Sequence, residues 1–269
     1  MEARLNSARR IAKNGKLLVN FWLTLKDAGE RACERANTAG MRCITKTRAW
    51  RWSIEPRLTH SEAMKRIVVV DYGLGNLRSA TRGLERAGAH VLVTADPAEY
   101  DRADGLVLPG VGAFKSGMQN VQGKKRALYE AVDRGTPLLG ICLGMQMLFT
   151  TSEEGQRERG PTEGLDLLSG HVKRFEVDRA PDRLKVPHMG WNRIRITQEN
   201  ALVRDVDGAY VYFVHSYYVE PDDHAIALSE YGHPFAAVVA NDRVFGTQFH
   251  PEKSSAAGLR ILRNFVEMC

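Results

Sequence analysis

Three short segments carry residue types that could act together on a carbonyl group. Gly140-Ile-Cys142-Leu-Gly144 sets a thiol between two glycines. The apolar run Leu138-Leu-Gly-Ile141 reads as a buried strand, and Met145 to Phe149 reads as a helix. Strand, tight turn and helix are the context of a nucleophile elbow, here with cysteine at its apex. The flanking glycines have a reason, since a side chain there would crowd the turn that exposes the nucleophile. The helix aims its N-terminus at the sulfur, which favours thiolate. A thiol nucleophile needs a base, and the base needs an orienting group. Phe249-His250-Pro251-Glu252 supplies both. In an extended segment residues two apart face the same way, so Glu252 is expected to hold one imidazole nitrogen while the other meets Cys142. Cys, His, Glu is one of several chain orders in which such triads are built. Acyl transfer also needs backbone N–H donors at a developing oxyanion. The glycines of Pro109-Gly110-Val111-Gly112 permit that turn, and the amides of Val111 and Leu143 are the expected donors.

Other motifs carry less. Asp71-Tyr-Gly73-Leu-Gly75-Asn76-Leu77 suggests a dinucleotide loop, but Arg78 stands where G-x-G-x-x-G needs a small residue. It reads as a strand–helix turn. The eight histidines show no HExxH or other close ligand spacing, so neither a metal nor another cofactor is expected. Cys33, Cys43, Cys142 and Cys269 lie far apart with no CxxC pair, which argues against a disulfide framework and fits a reducing compartment.

The elements that must position these residues begin at Met64. Ile67-Val-Val-Val70 is a β-branched run of the kind found in strands buried on both faces. Leu77, Ala80, Leu84 and Ala87 recur at helical spacing, and Gly88 stops that helix. His90–Thr94, Gly105–Leu108 and Leu138–Ile141 are further strands, and Phe114, Met118, Val121, Leu128 and Val132 mark one more helix. This alternation implies an α/β fold with a mostly parallel central sheet flanked by helices. Ligands in such sheets bind at the carboxyl ends of the strands. Residues 170–249 form an additional β-rich portion, with strands expected at Val172–Phe175, Trp191–Ile196, Tyr210–Val214, Ala236–Val239 and Val244–Phe249. A final helix can be capped by Ser254 or Ser255, with Leu259, Leu262, Phe265 and Val266 as its apolar face.

The first 63 residues differ from the rest. The chain has 269 residues with 38 Lys/Arg and 32 Asp/Glu. Residues 1–63 hold 13 basic and 6 acidic side chains, which leaves 25 and 26 for residues 64–269. The net charge of +6 therefore belongs to the extension, and a nucleic-acid role for the whole chain does not follow from it. Leu17–Leu23 is too short for a membrane span and no small-residue cleavage site follows it. Asp27, Glu30 and Glu34 argue against a transit peptide. Residues 1–63 are expected to be disordered or loosely helical, as sequence read through from an early start codon, with 64–269 as the functional domain. No nucleic acid or membrane is expected as a partner, and the chain is expected to be cytoplasmic.

Together GICLGMQ, PGVG and FHPEKS resemble class I, triad-type glutamine amidotransferases. Asp71–Leu77, Val186-Pro-His-Met-Gly-Trp-Asn192, Tyr212-Phe-Val-His-Ser-Tyr217 and Gly246–Ser254 are similar to the glutaminase subunits of imidazole glycerol phosphate synthases. The resemblance covers Met64 to Cys269. It implies glutamine hydrolysis through a Cys142 thioester, with His250 and Glu252 completing the triad. It implies that Gly112, Gln146, Glu154, Ser216 and Tyr217 hold glutamine, with Glu154 on the α-ammonium. It implies a heterodimer with a separate (β/α)₈ cyclase subunit that receives the ammonia, makes imidazole glycerol phosphate and aminoimidazole carboxamide ribonucleotide, and so feeds histidine synthesis. Trp191, Asn192, Tyr212, His215 and Lys253 then lie near that partner. A two-state turn at Val111, freed by Gly110 and Gly112, would make the glutaminase depend on the partner. A glutaminase serving another synthase, a stand-alone cysteine hydrolase and a non-catalytic module remain the alternatives.

Overall fold

The computed structural model describes residues 42–46, 49–53, 64–157, 160–176 and 185–269. Within the early segment it gives an antiparallel pair, β1 (Arg42–Lys46) and β2 (Ala49–Ser53), with Arg42 opposite Ser53. The expectation for the remainder of residues 1–63 lies outside the described residues.

From Met64 strands and helices alternate as the sequence pattern requires. They are β3 (Arg66–Val70), α1 (Leu77–Arg86), β4 (His90–Thr94), β5 (Gly105–Gly110), α2 (Phe114–Val121), α3 (Lys125–Asp133), β6 (Leu138–Cys142) and α4 (Leu143–Met147). Then follow β7 (Phe149–Arg157), β8 (Gly160–Glu163), β9 (Leu168–Arg174), β10 (His188–Arg193), β11 (Arg195–Ile196), β12 (Tyr210–His215) and β13 (Tyr217–Val219). β14 (Ala225–Tyr231), β15 (His233–Asn241), β16 (Val244–Thr247) and α5 (Ser255–Met268) complete the order.

The central sheet runs β11-β14-β15-β16-β6-β5-β3-β4. β16, β6, β5, β3 and β4 are mutually parallel, and β15, β14 and β11 extend the sheet antiparallel. The two-residue period of a strand sends alternate side chains to opposite faces. Ile67, Val69, Val107, Leu139 and Ile141 join Leu84 of α1 and Ile261, Leu262 and Phe265 of α5 on one side. Val68, Val70, Leu106, Leu108 and Leu138 join Phe114, Met118, Leu128 and Leu143 on the other. Aliphatic side chains on both faces are why β3, β5 and β6 read as continuous apolar runs. A four-stranded sheet, β13-β9-β7-β8, and the pair β10–β12 form the β-rich portion.

Several expectations need correction. The single helix expected across Phe114–Val132 is two, joined by a 3₁₀ turn at Gln122–Lys124. Gly123 sits in that break, where its low helix propensity ends the first helix. The helix after Cys142 spans Leu143–Met147, and Phe149 instead opens β7. Trp191–Ile196 is broken at Ile194 into β10 and β11. The last strand stops at Thr247 rather than Phe249. Ser254 stands at the N-cap of α5 without capping it. Its hydroxyl instead accepts from Tyr212 N at 2.9 Å and donates to His250 O at 2.7 Å, pinning the His250 segment to β12. Among the described residues no helix is long and apolar enough to cross a membrane.

Candidate active site

Cys142 ends β6 with φ 54° and ψ −109°, outside the regions a β-strand or right-handed helix allows. The chain reverses there from the sheet into α4, and the strain is that of an elbow. Its glycine neighbours have no room for a side chain. A Cβ on Gly144 would lie 1.8 Å from Leu108 O, and one on Gly140 would lie 2.6 Å from Met145 N. The thiol is buried, with Val214 O at 3.9 Å and Gln248 Nε2 at 3.8 Å.

β16 lies beside β6 in parallel register, Thr247 opposite Ile141, so the segment after β16 emerges next to Cys142. His250 Nδ1 and Glu252 Oε1 are 2.8 Å apart, and both side chains are 3% exposed. The contact expected from extended geometry is present, but the geometry is different. Pro251–Lys253 forms a 3₁₀ turn, and that turn brings the carboxylate back to the Nδ1 edge of the ring. His250 Nε2 and Glu252 Oε2 are buried without a hydrogen-bond partner. Burial alone would lower the imidazole pKa, but the neighbouring Cys142 and Glu252 outweigh it and push it up to about 9.

A cavity of about 340 Å³ opens at this point, at the carboxyl ends of β5, β6 and β12. Cys142, His250, Val111, Leu143, Gly112, Gln146, Glu154, Ser216 and Tyr217 all line it. Gly112 has φ +101°, a conformation that favours glycine. Gln146 Nε2 donates to Tyr217 O at 2.9 Å and Gln248 Oε1 at 3.0 Å, fixing the amide against β13. Glu154 Oε2 accepts from Phe114 N at 2.8 Å, at the start of α2. Burial raises the Glu154 pKa, and that N–H bond offsets part of the rise. Glu252 does not line the cavity but stands behind His250. Pro187, Val214 and Gln248 are also close to the site, beyond what the sequence motifs single out. Val214 acts through its carbonyl, which no side-chain pattern announces.

The residues expected near a partner divide in two. Trp191 is 49% exposed and packs edge-on against Tyr212, its register neighbour across β10–β12, with ring centroids 6.0 Å apart. Met189 and Tyr210 of the same two strands are also exposed, at 62% and 58%. Lys253 is exposed at the cavity rim. His215 and Asn192 are tied inward. His215 Nδ1 donates to Tyr217 O at 2.8 Å, so its Nε2 accepts from His188 Nδ1 at 3.1 Å. Burial holds His215 down to about 3, so it is neutral. Asn192 Nδ2 donates to Glu230 O, and its Oδ1 faces His188 Nε2 at 3.0 Å. Among the described residues no three His, Cys, Asp or Glu side chains converge as a metal-ligand set.

Residues 68–269 match the family model of glutamine amidotransferase class-I. The imidazole glycerol phosphate synthase subunit HisH of Halobacterium salinarum is 60% identical over 208 residues, covering 76% of this chain and 93% of the relative. The HisH subunit of Methanosarcina mazei is 53% identical over 210 residues, covering 77% and 100%, and that of Geobacillus kaustophilus 51% over 205, covering 74% and 95%. Among solved structures, that of PurLQS from Thermotoga maritima shares the fold at TM-score 0.56 and 18% identity, covering 76% of this chain and 99% of that one. A structure described as a glutamine amidotransferase superposes at TM-score 0.58 with 18% identity, covering 75% and 97%. The chain belongs to the class I glutamine amidotransferases, in the family of the HisH subunits of imidazole glycerol phosphate synthase.

Proposed function

We propose that residues 64–269 form the glutaminase domain of an imidazole glycerol phosphate synthase, with Cys142 as nucleophile, His250 as acid and base, and Glu252 as the group that holds His250. The observation that carries this reading is the single cavity shared by the thiol, the imidazole and the candidate glutamine-binding side chains. The Cys142 thiolate attacks the side-chain amide carbon of glutamine, and the N–H groups of Val111 and Leu143 receive the oxyanion. The His250 imidazolium gives its proton to the departing nitrogen, and ammonia leaves. A γ-glutamyl thioester remains. Water attacks it while His250 takes the proton, the thiolate departs, and glutamate is released. Gly112, Gln146, Ser216 and Tyr217 shape the pocket, and the free oxygen of Glu154 faces the α-ammonium.

Ammonia protonated in bulk water is lost as a nucleophile, so the site needs a second subunit to receive it. A cyclase bound over the exposed face of β10 and β12 fits that need. Three large apolar side chains, Met189, Trp191 and Tyr210, stand out from this small sheet, the kind of surface that marks an interface. Lys253 at the rim and Tyr212 beside Trp191 belong to the same face, while Asn192 and His215 brace it from within. The complex is a cytoplasmic heterodimer, and residues 1–63 precede the domain as a basic extension. Glutamate release is measured for the chain alone, with the cyclase, and with the cyclase plus its nucleotide substrate. Release is expected mainly in the third condition. Cys142→Ala is expected to abolish it while keeping cyclase binding. Equal release in all three conditions would move the reading to a glutaminase serving another synthase or a stand-alone cysteine hydrolase.

A further inference from the structure

The Tyr72 side chain lies outside the cavity, yet it reaches the turn that borders it. It is 4% exposed, and its hydroxyl is buried without a hydrogen-bond partner. A buried phenol normally finds one, because an unmet donor keeps its desolvation cost. The hydroxyl lies against Gly110. A Cβ on Gly110 would come within 2.7 Å of Tyr72 Oη, 2.6 Å of Gly144 N and 2.8 Å of Leu143 Cβ. Three residues on, the same β3–α1 turn touches the same place, since a Cβ on Gly75 would lie 3.0 Å from Pro109 O. The turn that resembled a dinucleotide loop therefore packs under Pro109–Gly110, the start of the turn that carries Val111. Burial, and after it the charge of Cys142, push the Tyr72 phenol well above its ordinary range, so it stays a proton donor throughout.

The peptide joining Gly110 to Val111 is planar, and its C=O and N–H point in opposite directions. Val111 and Gly112 line the cavity, whereas Tyr72 sits in the apolar cluster with Leu108, Phe114 and Leu143. When the Val111 N–H is aimed into the cavity, the Gly110 carbonyl must be aimed away from it. We propose that Tyr72 is a positioning residue whose hydroxyl donates to the Gly110 carbonyl in the working state and so holds the Val111 N–H on the oxyanion. The bond is open in this structure, where Tyr72 Oη has no partner. This inference rests on the glutaminase reading given above.

The test compares the full-length wild type with Tyr72→Phe, each saturated with the cyclase and its nucleotide. Glutamine turnover and alkylation of Cys142 by iodoacetamide are measured on these complexes, and the melting temperature on each chain alone, without cyclase or nucleotide. Loss of one oxyanion donor lowers kcat by about 10²–10³-fold, and loss of its positioner is expected to lower it by about 10–100-fold. KM is expected to stay within about twofold, because the oxyanion forms only after glutamine is bound. Alkylation is expected to proceed at the wild-type rate, since displacement at a saturated carbon makes no oxyanion. The melting temperature is expected to hold or rise, because the variant removes an unpaired buried hydroxyl. Unchanged kcat overturns the inference. So does a parallel slowing of alkylation, which would place the effect on the thiol, and so does a lowered melting temperature, which would mean that the hydroxyl is already bonded at rest. Absence of turnover in the wild-type complex would instead remove the glutaminase reading, and this inference with it.

Discussion

Glu252 acts on His250 from behind, outside the cavity that Cys142 and His250 line. Burial lowers the His250 pKa, but Cys142 and then the Glu252 carboxylate, 2.8 Å from Nδ1, outweigh it, so the imidazolium persists to about pH 9 in the folded chain, against 6.5 for an unperturbed histidine. A raised folded-state pKa contributes stability that is complete below pH 6.5 and is lost as the pH climbs through 9. The unfolding free energy of the wild type is therefore expected to fall between pH 7 and 10 by more than that of Glu252→Gln, as denaturant titrations at several pH values will read. The same substitution is expected to lower the His250 pKa, followed by NMR of its ring protons, and to reduce kcat by about 10²–10⁴-fold, as loss of a triad's orienting carboxylate does elsewhere. The grouping of Cys142, His250 and Glu252 was legible in the sequence because each sits in a short motif whose residue types the proposed chemistry needs. Gln248 was not, because its contact with the sulfur depends on Gln146 holding its amide from another element. The 3₁₀ turn that joins His250 to Glu252 also escaped, although Pro251 at its start is a recognised opener of such turns.

At the scale of elements, the elbow works because β5, β6 and α4 approach more closely than side chains allow. Gly144→Ala would press a methyl group to 1.8 Å from the Leu108 carbonyl, so backbone has to move. A loss of about 3 kcal/mol or more is expected, at the upper end of what overpacking costs, and equilibrium urea denaturation is the measurement. The parallel strands were readable since their β-branched runs face helices on both sides. β7 and β8 were not. Thr150-Thr-Ser-Glu-Glu-Gly-Gln-Arg157 has neither a continuous apolar run nor a clean period of two. Its pairing is instead fixed by neighbours, Ser152 sitting opposite both Thr162 of β8 and Val172 of β9. The split between α2 and α3 was hidden because Val121 and Leu128, seven residues apart, keep the same helical face across the break.

At the scale of the molecule, charge and chemistry are separated along the chain. The surplus positive charge lies in residues 1–63, and every residue of the cavity lies after Met64. A protein started at Met64 is expected to match the full chain in ligand-stimulated glutamate release and in cyclase affinity, both within about twofold. A larger loss in either would give the extension a function that its composition does not disclose. The order of strands across the sheet has a further outcome, in time rather than space. β6 delivers Cys142, but its neighbour β16, which leads into His250, follows about a hundred residues later. Ribosomes add roughly 5–20 residues per second, so the thiol leaves synthesis many seconds before its imidazole. Until β16 slots between β15 and β6, the nascent chain holds Cys142 without His250 beside it, and by the proposed mechanism it cannot hydrolyse glutamine. Synthesis itself thus withholds activity until the sheet closes.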